Sequence, residues 1–113
     1  MSNTQTVQFD TLRSVAFGGI SGTYAVLGGA LSYPARLICI TNATNGDLLF
    51  STDASHDMLF LAQNSFKLFD LSTNRLNVDQ MFVVRAGTQF YVKQSTAPSS
   101  GAVYLEILYG VNA

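Results

Sequence analysis

With 113 residues, the chain is long enough for one domain that buries a modest core without disulfides or a structural metal, and its single cysteine, Cys39, has no partner for an internal disulfide. A net charge of −1, with the six basic residues placed singly along the chain, lays down no basic stripe and argues against direct nucleic-acid binding. Charged residues make up only 12% of the chain, about half their usual share, against 48% hydrophobic residues. This composition predicts outward faces covered by other subunits, hence a homo-oligomer or an assembly component.

Residues 1–8 are polar and uncharged apart from Val7 and read as a flexible arm preceding one domain over residues 9–113. They lack the cationic segment and apolar core of a signal peptide. Leu12 to Ile20 and Tyr24 to Leu31 are each expected to form a strand that bends or bulges at a glycine pair, Gly18-Gly19 and Gly28-Gly29. Neither pair has the spacing or the following Lys-Ser/Thr of a phosphate-binding loop. The interval between Arg13 and Arg36 holds no charge, but its glycines, serines and Pro34 break the apolar run that a membrane-spanning helix needs.

After Pro34, Ala35 to Asn42 predicts a central strand buried on both faces, with Cys39 as a small buried hydrophobe. Asn45-Gly46 predicts a tight hairpin into the strand beginning at Leu48. Ser51 to Asp57 and Ala62 to Ser65 then punctuate the apolar runs MLFL and FKLFDL too often for a helix, so three linked hairpins are expected between Ala35 and Leu71. Ser72 to Gln80 is a polar loop long enough to cross between sheets. Met81 to Val84, Gln89 to Gln94 and Ala102 to Tyr109 complete eight or nine short strands without a helix. The predicted fold is all-β: a single antiparallel β-sandwich, jelly-roll-like.

Chemistry is sparse. The one histidine, His56, lies in a turn beside Ser55 and Asp57, and no nucleophile elbow is present, so no enzymatic activity and no catalytic residue is expected. The aspartates fall mostly at turns, where they cap backbone donors, and no metal or cofactor is expected. Phe50, Phe60, Phe66, Phe69, Phe82 and Phe90 are most simply the core. Tyr91, Tyr104 and Tyr109 on late strands suit a subunit interface as well as a core edge, and Tyr104 with Leu108 gives the last strand a second apolar face around one carboxylate.

The succession ITNATNGDLLFSTD, MLFLAQNSFKLFDLSTN, GTQFYVKQ and SSGAVYLEILYG, spanning Arg36 to Gly110, resembles the small virion proteins of tailed bacteriophages. In size and all-β pattern the chain is similar to the jelly-roll cement or decoration proteins of short-tailed phages. The resemblance implies a part made in the bacterial cytoplasm and carried on the capsid surface, where a rigid sandwich bridges and stabilises major capsid protein subunits. It adds the arm and the last residues, Val111 among them, to Tyr91, Tyr104, Leu108 and Tyr109 as interface candidates. The alternative it leaves open is a tail, neck or fibre-associated module that binds a tail protein or a host receptor.

Overall fold

The computed structural model describes residues 5–71 and 84–112. Among these, nine strands form: β1 (Gln5–Phe9), β2 (Arg13–Ala16), β3 (Ala25–Val26), β4 (Ala35–Asn42), β5 (Leu48–Ser51), β6 (Leu59–Leu61), β7 (Ser65–Asp70), β8 (Tyr91–Gln94) and β9 (Ala102–Asn112). The first sheet has the order β1-β9-β4-β7, with β2 on the same edge of β9 as β1; the second has the order β3-β8-β5-β6. Every ladder is antiparallel. The pairings are nested, β2 with β9, β3 with β8, β4 with β7 and β5 with β6. One long antiparallel hairpin with its tip at β5–β6 has thus been folded over so that its members fall alternately in two sheets, the jelly-roll-like sandwich that the strand spacing predicts.

Period-two alternation places the core. Ile38 and Ile40 of β4, Val103, Leu105 and Ile107 of β9, Leu48 and Phe50 of β5, Leu61 of β6 and Val92 of β8 are each no more than 3% exposed and meet between the sheets. Each such side chain contributes roughly 1.5–3 kcal/mol on leaving water, which makes this layer the main source of stability.

The turns differ from expectation. Of the three predicted hairpins only β5–β6 forms, because β4 to β5 and β6 to β7 both change sheet. Neither Asn45 nor Gly46 has the positive φ of a tight hairpin turn. The crossing is held instead by Asn42, fully buried at the end of β4. Its amide donates to the carbonyls of Gly46, Leu61 and Ala62, and its Oδ1 accepts from the Thr44 backbone N–H and hydroxyl. Gly46 is needed for close approach, since a Cβ there would lie 2.5 Å from the Thr96 carbonyl oxygen. Asn64, with φ +54°, turns the chain from β6 to β7, and the Asp47 carboxylate accepts the neighbouring Gln63 N–H at 3.0 Å.

The glycine pairs are not bulges. Gly18 and Gly19 end β2 in a 3-10 turn (Phe17–Gly19), and Gly28, with φ +69°, lies in the loop after β3. That loop wraps Arg13, which is only 7% exposed and donates from Nε to Gly29 O, from Nη2 to Ala30 O and from Nη1 to Thr11 O. Asp10 Oδ2 supplies the opposite charge at 3.2 Å, in ion-pair rather than hydrogen-bond geometry. A Cβ at Gly28 would lie 2.6 Å from the Arg13 stem, so glycine is required there twice over.

The segment expected as an arm over residues 1–8 overlaps β1, which pairs with β9 from Gln5↔Asn112 to Phe9↔Leu108. Residues 1–4 lie outside the described residues, as do the loop expected over Ser72 to Gln80 and all of the strand expected over Met81 to Val84 but Val84, which bridges to Ala35. Phe50 and Phe90 are core, but Phe60, Phe66 and Phe69 are 46%, 65% and 36% exposed; Phe82 is not among the described residues. Cys39 is half-buried rather than buried, because β4 has one buried and one partly open face.

Candidate interaction surface

The residues that alternate out of the core form the outer face of the first sheet. Register aligns them in rows across the strands. One row runs Phe66, Thr41, Tyr104 and Ser14; the next runs Leu68, Cys39 and Glu106; a third runs Asp70, Leu37, Leu108 and Phe9. Directly opposed residues share a face, so these rows make one surface. Phe9 is 77% exposed, Phe66 65%, Leu68 56% and Tyr104 36%, while Leu37, Cys39 and Leu108 are half-buried between them. Glu106 is the one carboxylate at its centre, and Asp70 lies at its margin. Exposed apolar side chains grouped on one sheet face in this way make it a candidate contact surface.

The interface candidates read from the sequence are not all brought together. Tyr104 and Leu108 stand on this face, one on each side of the Glu106 row. Tyr109 points inward, where it is 8% exposed, stacks on Tyr33 with ring centroids 4.0 Å apart and donates its hydroxyl to Gln8 Oε1. These contacts are those of a residue at the edge of the core. Tyr91 is half-buried in the second sheet opposite Val26 and Ser51, and Val111 pairs with Thr6 at the far end of β9. Sequence reasoning did not place Phe9, Leu37, Phe66 and Leu68 on this face. The available signal was FKLFDL, apolar on both faces of one strand, which is more than a half-buried edge strand requires.

The polar residues gather elsewhere, around the loop joining β5 to β6. Asp53 accepts the backbone N–H groups of Ser55 and His56, and its Oδ2 meets His56 Nδ1 at 2.6 Å. The hydrogen bond with His56 holds the Asp53 carboxyl well below the usual carboxylate range, and in return Asp53 raises the His56 pKa. Beside them Asp57 accepts from the Tyr24 hydroxyl at 2.5 Å and from Lys93 Nζ at 3.0 Å, and the Lys93 ammonium sits 4.8 Å from the centre of the Tyr24 ring. Partial burial, then the hydrogen bond to Asp57, pushes the Tyr24 phenol up; the same bond, followed by Lys93, lowers Asp57.

This cluster fastens a loop. His56 is turned to Asp53 with its side chain 78% exposed, and the nearby hydroxyl of Ser55 reaches only the Asp53 backbone carbonyl. Catalysis by a serine–histidine pair needs the hydroxyl on the ring, and that contact is not made. Among the described residues no group of three or more His, Cys, Asp or Glu side chains is placed to hold a metal ion.

Fold and surface together define a small jelly-roll-like β-sandwich with one apolar sheet face turned outward. No protein-family model matches the sequence, and no curated protein matches it. Among solved structures the chain is similar to one from the cyanophage Pam1 capsid asymmetric unit, with a TM-score of 0.53 and 14% identity over 98% of this chain and 89% of that one. It is also similar to a chain of Bacillus endospore appendages, described as disulfide-linked pili, with a TM-score of 0.51 and 13% identity over 97% and 93% of the two chains. A looser overlap with the Dit protein of phage SPP1, at a TM-score of 0.42 and 10% identity, covers 91% of this chain and 49% of that one and carries no functional argument. At these identities the likeness is one of fold.

Proposed function

We propose that this chain is a bacteriophage virion structural protein that sits on the capsid surface and bridges major capsid protein subunits as a cement or decoration protein. The observation that carries the proposal is the outward apolar face of the first sheet, on which Phe9, Phe66, Leu68 and Tyr104 stand exposed among the described residues. A charge-poor chain with such a face is suited to permanent seating on a large partner. The fold shared with a chain of similar length from a cyanophage capsid asymmetric unit supports the capsid as the place of that seating. The work is mechanical: the two sheets share one apolar core, and the sandwich transmits load between whatever its outer face grips.

The test is co-sedimentation of the purified protein with capsids and, separately, with tails of the phage that encodes it. The wild type is expected to pellet with capsids, and Tyr104→Glu and Phe9→Glu, both on the exposed face, are expected to stay in the supernatant while keeping the wild-type circular dichroism spectrum. Pelleting with tails alone would overturn the capsid assignment in favour of a tail module, and undiminished binding by both variants would remove the face from the mechanism.

A further inference from the structure

The four edges of the two sheets are not alike. In the second sheet the edges are β3, of two residues, and β6, of three. In the first sheet one edge is shared between β1 and β2 and interrupted at residues 10–12, next to the buried Asp10–Arg13 pair. Short and interrupted edges are how proteins prevent unwanted strand pairing. β7, at the other edge, has neither device. It runs six residues without proline, glycine or bulge, in unbroken register from Leu37↔Asp70 to Asn42↔Ser65, and it carries exposed Phe66, Leu68 and Phe69. Among the described residues it is the one long uninterrupted edge, with Lys67 its one lysine.

We propose that β7 pairs antiparallel with β7 of a second copy about a two-fold axis at Leu68, joining the two first sheets into one continuous sheet. The sequence SFKLFD favours itself in this register. A two-fold perpendicular to the sheet keeps core-side residues opposite core-side residues, so the alignment changes only in steps of two. With Leu68 facing the partner's Leu68, Phe66 lies opposite the partner's Asp70 and Lys67 opposite the partner's Phe69. The apolar lysine stem and its ammonium then lie on an aromatic ring, twice by symmetry. One step in one direction sets Lys67 against the partner's Lys67, a like-charge pair that destabilises. One step in the other leaves only Leu68 to Asp70 paired within the strand. The same pairing joins the two outer faces edge to edge, so the dimer presents a doubled apolar surface. This inference rests on the β7 edge and not on the capsid assignment.

Light scattering on the free full-length protein across a concentration series tests it, with no capsid present. The expected result is a species of twice the 12.2 kDa chain mass at high concentration, slowed amide exchange over residues 65–70 in that species, and return of Leu68→Lys to monomer mass. Phe9→Ser, on the outer face but far from β7, keeps the dimer. In a Cys39→Ser background, Leu68→Cys is cross-linked to a dimer by a short bis-maleimide, and Val26→Cys, on the exposed β3, is not. A chain that stays monomeric at every concentration overturns the proposal. So does a dimer that Phe9→Ser dissolves, or one in which exchange over residues 65–70 is unchanged.

Discussion

Asn42 and Asn45 show how a sequence signal and its physical weight part company. Asn45, in the Asn-Gly pair that advertises a hairpin, exchanges two exposed hydrogen bonds with Ser99. Asn42, three residues earlier in an apolar strand and itself fully buried, satisfies three carbonyls, of Gly46, Leu61 and Ala62, and two donors of Thr44. Asn42→Ala is expected to lower the unfolding free energy by about 2–4 kcal/mol, because each buried group left unpaired costs about 1–3 kcal/mol. Asn45→Ala is expected to cost about 1 kcal/mol or less, and urea denaturation of both variants measures the difference. The Asp53–His56 pair sets a pH window. His56 has its pKa raised, so its contribution is complete below the ordinary histidine value and fades as pH rises through the folded one. Asp53 is lowered, so its contribution holds above the ordinary carboxylate value and fades as pH falls. An NMR titration is expected to place the His56 pKa above 6.5 and to find it lowered in Asp53→Asn. Both side chains are solvent-exposed, so the loop rather than the whole fold responds.

At the scale of elements, most of the described strands were legible and most of their pairings were not. β4 runs from Ala35 to Asn42 as the sequence indicates, because Pro34 ends the preceding loop and β-branched and apolar residues fill the span. Sheet membership depends on contacts between distant segments, which local turn residues do not encode, so β4–β5 and β6–β7 looked like hairpins. The outer face was hidden for a related reason. Periodicity reports that Phe66 and Phe69 lie on opposite faces of β7, and not which face meets the core. β1 was read as an arm because Gln5 to Gln8 are mostly polar, yet its backbone closes the ladder along the Leu108–Asn112 half of β9. Deleting residues 2–9 strips that half of its neighbour. The expected outcome is a lower melting temperature and concentration-dependent aggregation, read by calorimetry and static light scattering.

For the molecule as a whole, the low charge seen in the composition and the apolar face seen in the fold are one fact. With only 12% charged residues the chain leaves large apolar side chains exposed, Phe9, Phe66 and Leu68 on the first sheet and Val26 and Phe60 on the second. The nested pairing adds a kinetic cost, since every inter-strand ladder but the tip β5–β6 joins segments far apart in sequence and must wait for chain closure. Cys39 gives this surface a convenient property. The chain's single thiol stands mid-row between Leu68 and Glu106, so its rate of alkylation is a native gauge of whether that face is open to water or occupied, readable without changing a residue.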